Sequence, residues 1–273
     1  MSDQGYFGSG SMSWQIDSEA FINIGGSRAV LMQLAHPLIA TAVMEHSRYM
    51  TDPIGRAEST FMLGQMLVFG STRTAREAAR TINRLHAHVH GHLKAAAGDY
   101  TAGTAYRAYD PELLLWVYAT IVDTILLLYP MFIKPLNWQE QNTFYQESKQ
   151  IARMLGLPLS RLPQTVDDLR RYVYTMVYSN RLAATPQARR LAHQVLFPPT
   201  SAALAPLKYF NIYLTSALLP PPVRQMYDLH WGPKQQRLFE AFAAGLKPIL
   251  AHLPPALRIL PVTQKLIHSG EVA

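Results

Sequence analysis

Apolar residues recur at three- and four-residue spacing along most of the chain, and the strict alternation of a half-buried strand is nearly absent. Residues 18–45 read as a helix pair, interrupted at Gly25-Gly26 and broken at Pro37. Asp52-Pro53 opens a helix, because Asp can cap and Pro suits the first turn; it runs to about Leu67 and ends near Gly70. Thr74-x-x-Glu77 has capping-box spacing and starts the next helix, which carries through NRLHAHVHGH at 83–92. Asp110-Pro111-Glu112 opens a long apolar helix, Asn137-Trp138-Gln139-Glu140 another that ends near Gly156, and Val166–Leu182 forms one more. Pro158 and Pro163 mark loops, and short helices fit 187–196, 203–218, 223–229 and 233–251 among the prolines of the final third. No repeat, low-complexity run or linker intervenes. The expectation is an all-α fold: a single globular helical domain over 18–273, preceded by a flexible polar segment, 1–17, that Tyr6, Phe7 and Trp14 could dock.

The stretch LLLWVYATIVDTILLLYPMFI, 113–133, is long enough to span a bilayer. Asp123 sits at its middle, where a carboxylate is costly in lipid, and Pro130 interrupts its last turn. A buried core helix fits better, with Asp123 paired to an arginine such as Arg28 or Arg84 and Trp116 packed in the core. A peripheral membrane contact stays open. The N-terminus has neither a basic n-region nor an apolar h-region, so it is not read as a secretory signal, and a cytoplasmic location is expected.

Composition agrees with a large core: 49% of residues are apolar and only 16% charged, the reverse of a disordered chain. There is no cysteine, which excludes disulfides, a thiolate nucleophile, iron–sulfur clusters, zinc ribbons and covalent c-type haem. The net charge of +7 is uneven, since residues 169–273 hold twelve Lys/Arg against three Asp/Glu. Dispersed charges without a nucleic-acid-binding motif read as a solvated basic surface, so no nucleic-acid partner is expected.

Candidate chemistry starts with His86, His88, His90 and His92, at every second position. On a continuous helix with Ile82 at the centre of the apolar stripe, His86 falls about 40° away, His90 and His92 about 80° to either side, and His88 about 120°. Three readings fit. His86 and His90 form an i, i+4 metal pair, though without the glutamate of HExxH. All four form a polar face that does no chemistry. Or His86 alone is the axial ligand of a haem iron, reaching out from an apolar wall. A second constellation lies on the helix after Pro53: Arg56, Ser59, Thr60, Leu63 and Leu67 share one face. Either Arg56 pairs with an acid such as Asp52 while Thr60 bonds back to its own helix, or these groups form the polar corner of a pocket.

The blocks QLAHPLIATAVMEHS, DPIGRAEST, LHAHVHG and YDPELLLWVYATIVDT, followed by YQESKQIARMLGLP and LLPPPVRQMYDLHWG, resemble one family in that order. It is the family of the latex-clearing rubber oxygenases and the mycophenolic-acid-pathway oxygenase, and the resemblance spans roughly 18–262, closer to its short, soluble bacterial members than to the rubber oxygenases themselves. It implies an all-α fold with a buried haem pocket, haem b held non-covalently, and cleavage of isoprenoid double bonds with dioxygen. His86 falls on the family's proximal histidine. The family's distal Arg-x-x-Lys-Thr falls on Arg56, Ser59 and Thr60, with serine in place of lysine. Serine is short and neutral, which puts rubber cleavage in doubt and implies an open, water-occupied or loosely ligated sixth position. Arg28 and Arg84 are candidates for the haem propionates and His36 for the pocket, although a backbone carbonyl at the Pro37 kink also accounts for His36. The expected protein is a haem b-dependent oxygenase or oxidase using dioxygen on a small apolar, unsaturated substrate. Its rivals are a haem carrier or sensor without turnover, a non-haem metal hydrolase using His86 and His90, and an interaction protein with an acidic partner.

Overall fold

A computed structural model describes residues 3–199 and 201–271. The longest apolar helix lies at the centre of the fold. Asp110 accepts a hydrogen bond from the Glu112 amide and Pro111 fills the first turn, which starts the helix Pro111–Phe132. Trp116, Ala119, Leu128 and Phe132 are fully buried on it. By length and apolar composition it could cross a membrane, yet more than half of that stretch lies inside the fold.

The helices in chain order are α1 (Met12–Asp17), α2 (Gly26–Leu34), α3 (Pro37–His46), α4 (Pro53–Phe69), α5 (Thr72–Ala87), α6 (Pro111–Phe132), α7 (Trp138–Met154), α8 (Val166–Val177), α9 (Pro186–Leu196), α10 (Ala205–Leu218), α11 (Pro221–Met226), α12 (Pro233–His252), α13 (Pro255–Arg258) and α14 (Pro261–Glu271). Helices α2, α7, α8 and α12 all pack on α6. Gly25 permits the closest approach: a Cβ there would stand 2.3 Å from Leu128 Cδ1 and 2.5 Å from Thr124 Cγ2, so the chain entering α2 lies directly on α6. The fold is all-α, one globular helical domain, with a single small hairpin of β1 (His90–His92) and β2 (Ala105–Arg107) among the described residues.

Several boundaries differ from the sequence expectation. The cap of α5 is Ser71, whose Oγ accepts from the Thr74 amide, so Thr74-x-x-Glu77 lies inside the helix. Helix α8 stops at Val177 instead of Leu182, because Ser179 Oγ donates back to Met176 O while Asn180 O accepts from the Asp99 amide. Helices α13 and α14 extend the bundle beyond 251. The entry segment is docked by its aromatics: Phe7 is buried, Trp14 meets Phe69 edge-on at 5.2 Å, and Tyr6 Oη accepts from Arg76 Nε.

Candidate functional site

Helices α4 and α5 form an antiparallel hairpin joined at Gly70-Ser71. Near the turn, Leu67, Ala78 and Ala79 seal it, with Leu63, Met66 and Ile82 packed around them. Arg56 begins the first helix and His86 ends the second, so the hairpin brings both to its far end.

His86 is half-buried, and its Nδ1 is buried with no hydrogen-bond partner. Burial, and secondarily the positive charge of Arg56, hold the imidazole pKa below its ordinary value. The ring is therefore neutral at pH 7, with a lone pair free to coordinate. Tyr109 stands edge-on to it, with ring centroids 6.1 Å apart, and its hydroxyl donates to Asn83 O. One turn before His86, Asn83 Nδ2 donates to Met154 O while Asn83 Oδ1 is buried without a partner. An unpaired acceptor and an unpaired ring nitrogen thus stand at i and i+3 on one helix. Asn83 and Tyr109 were missed by the sequence reading. The signal for Asn83 was its amide three residues before the histidine, and for Tyr109 its place at the head of the YDPELL block.

Arg56 is half-buried, and burial lowers its pKa. Its Nε donates to Ser47 Oγ at 3.3 Å, and among the described residues no carboxylate pairs with it. Asp52 instead caps α4 by accepting from the Gly55 amide. Ser59 and Thr60 are exposed and donate back to Gly55 O and Arg56 O. The structure therefore places His86 and Arg56 together, and leaves the two hydroxyls beside them on the solvent side of the same helix end.

The remaining candidates lie elsewhere. Arg28 is fully committed to the core: Nη2 pairs with Asp123 at 2.7 Å, Nε donates to Leu218 O and Nη1 to Thr124 Oγ1. The expected Asp123–arginine pair is thus present, and all three Arg28 guanidinium nitrogens are bonded within the fold. Arg84 is exposed on the outer side of α5 and bonds to Thr81. His36 is buried at the start of α3, where Nε2 pairs with Tyr100 Oη at 2.9 Å and not with a carbonyl at the Pro37 kink. Burial, and then Arg181, push its pKa down to about 4.

The helix-wheel positions of the later histidines do not hold, because α5 ends at Ala87. His88 is its C-cap, and His90 and His92 stand on β1. Gly91 between them faces Tyr106 so closely that a Cβ would meet Tyr106 Oη at 2.5 Å. His90 O is bonded by His46 Nε2, and His90 shares no helical face with His86. No cluster of three or more His, Asp or Glu able to hold a metal ion occurs among the described residues. A cavity of about 180 Å³ lies between α3 and the start of α9, lined by Thr41, Met44, Leu93, Ala97 and Gln187, and a shallower one runs along the outer side of α5. Neither is lined by His86, Arg56, Ser59 or Thr60.

The chain is 27% identical over 226 residues to an uncharacterised protein of Mycobacterium bovis and to one of Mycobacterium tuberculosis, covering 80% of this chain and 84% of each relative. No solved structure matches it. Residues 14–247 match the model of the catalytic domain of the ER-bound oxygenases mpaB and B′ and of rubber oxygenase, and the chain belongs to that oxygenase family.

Proposed function

We propose that the protein is a haem b-dependent oxygenase acting on a small apolar, unsaturated substrate, with His86 as the axial ligand. The observation that carries this reading is the His86 ring: neutral, half-buried, without a hydrogen bond, and facing the uncompensated charge of Arg56. The donor set fits one imidazole on iron better than a multi-ligand metal ion. Haem b, once bound, supplies a redox-active iron for dioxygen chemistry.

The chain's own groups divide the remaining work. His86 would hold the iron through Nε2. With Nε2 so engaged, Nδ1–H would donate to the unpartnered Asn83 Oδ1, directly or through a water, and so fix the tautomer and the ring orientation. Tyr109 limits the ring's tilt from the edge. Arg56 presents donors that no carboxylate neutralises, suited to an anionic oxygen or a carboxylate of the cofactor. Thr60 and Ser59 add hydroxyls at the same helix end. Serine in place of the family's lysine would leave no ammonium at this helix end to compete as a ligand. Arg28, Arg84 and His36 take no part.

The test is spectroscopic first. Protein reconstituted with haem should show a Soret band that His86→Ala abolishes and His88→Ala retains. Oxygen uptake is then measured with unsaturated lipids and terpenoids. Haem binding with no uptake would favour a carrier or sensor, and haem retained by His86→Ala would reject the ligand assignment.

A further inference from the structure

Helix α10 enters the bundle with only its second half. Leu214, Thr215, Ser216 and Leu218 are buried, whereas Leu207 and Tyr209 are 62% and 70% exposed. Leu204, Leu207 and Phe210 repeat at every third residue and so follow one side of the helix start. Phe210, itself exposed, meets Phe242 of α12 edge-on at 5.8 Å. On α12, Leu238, Phe242 and Ile249 share one face at i, i+4 and i+11, with Leu238 and Ile249 more than half exposed. An apolar ridge therefore runs from the start of α10 onto the outer face of α12. Isolated exposed leucines are ordinary, but a connected row of them marks a contact surface.

The charge around the ridge selects the contact. Residues 197–267 hold seven Lys/Arg and two Asp/Glu. Of the two acids, Asp228 is paired with Arg189 and Glu240 accepts from Gln236. Lys234 and Arg237 lie within a turn of Leu238, exposed and outside every ion pair among the described residues. A second copy meeting this face symmetrically would bring like charges together. An anionic lipid surface offers the complement to both features. Its headgroups take the cations, its acyl boundary takes the aliphatic row, and the Phe210 ring suits the level between.

We propose that this ridge docks the protein peripherally on an anionic bilayer, with Leu207, Leu238 and Ile249 in the acyl boundary and Lys234 and Arg237 on lipid phosphates. Helix α6 takes no part, since it is committed to the core. The docking goes beyond the haem reading and does not depend on it.

Purified full-length chain is sedimented with phosphatidylcholine vesicles, alone or with roughly 30% phosphatidylglycerol, a density at which each nearby cation contributes about five-fold in partition. Wild type should partition at least about ten-fold better onto the anionic vesicles, and less in high salt. Lys234→Glu with Arg237→Glu should lose most of that binding, as should Leu207→Ser with Ile249→Ser. All of these side chains are exposed, so the variants should keep the wild-type circular dichroism and melting temperature. Equal binding to neutral vesicles, no binding, or variants that sediment like wild type would overturn the proposal. So would a dimer, seen by light scattering, that the apolar variant dissociates while vesicle binding stays unchanged.

Discussion

His86→Leu separates a ligand from a structural histidine. A buried donor or acceptor without a partner costs about 1–3 kcal/mol. His86 Nδ1 is such an atom, and the half-buried ring places the cost near the low end, about 1 kcal/mol. Leucine also gains a few tenths of a kcal/mol, roughly, in helix propensity at this position in the last turn of α5. The cofactor-free His86→Leu protein should therefore be more stable than wild type by about 1–1.5 kcal/mol. At roughly 2–4 °C per kcal/mol for a chain of this size, its melting temperature should rise by about 2–6 °C. The assay is paired: thermal and urea unfolding of cofactor-free protein, and haem titration followed at the Soret band. The expected outcome is a gain in the first and a loss in the second, the usual opposition between stability and function at a working site. A cofactor-free variant destabilised by more than about 1 kcal/mol would make the imidazole part of the scaffold and refute the reasoning.

Two further outcomes follow from buried charges. Asp123→Ala strands the Arg28 guanidinium; because Asp123 is 21% exposed and Arg28 keeps Leu218 O and Thr124, the cost should be about 2–4 kcal/mol by urea denaturation, and a change below roughly 0.5 kcal/mol would show that the pair carries little. His36 has its pKa lowered from 6.5 to about 4, so its contribution is fully present above pH 6.5 and is lost as pH falls toward 4, about 2 kcal/mol between pH 7 and pH 5. Asp17, pushed up to about 7 by burial and then by Glu147, acts in the opposite sense, so the measurement is the difference between wild type and His36→Asn at each pH, and a difference independent of pH would remove His36 as its source.

The helical part of the fold was legible because it rests on local chemistry. Asp52-Pro53, Asp110-Pro111 and Asn137 with Glu140 cap their helices as their side chains allow. The Arg28–Asp123 pair was also legible, since a carboxylate midway along an apolar helix needs a counter-charge. The C-terminal end of α5 was not. The alternation of histidines reads equally as a helix continuing or as a strand beginning, and what decides is Gly91 lying under Tyr106, a contact made by residues fifteen apart in sequence. Within the site, His86 and Arg56 could be placed by helix geometry. Asn83 could not, because its importance lies in an acceptor left empty, which only the assembled packing exposes.

The contrast between buried His36 and half-buried His86 sharpens the proposal. His36 and His86 both have pKa values lowered by burial, and each has an unpartnered Nδ1. His36 spends its Nε2 on Tyr100, whose hydroxyl is in turn bonded by Arg181, so that ring is closed off by its own network. His86 spends neither nitrogen on a hydrogen bond. It sits where a helix ends, beside an arginine without a carboxylate and an amide oxygen without a donor. Buried polar groups left unsatisfied are selected against unless something else completes them. At His36 the protein itself completes most of the valence. At His86 the ring and the Asn83 oxygen are left without partners beside an arginine that no carboxylate pairs, a setting in which a negatively charged group that accepts the imidazole lone pair would be held.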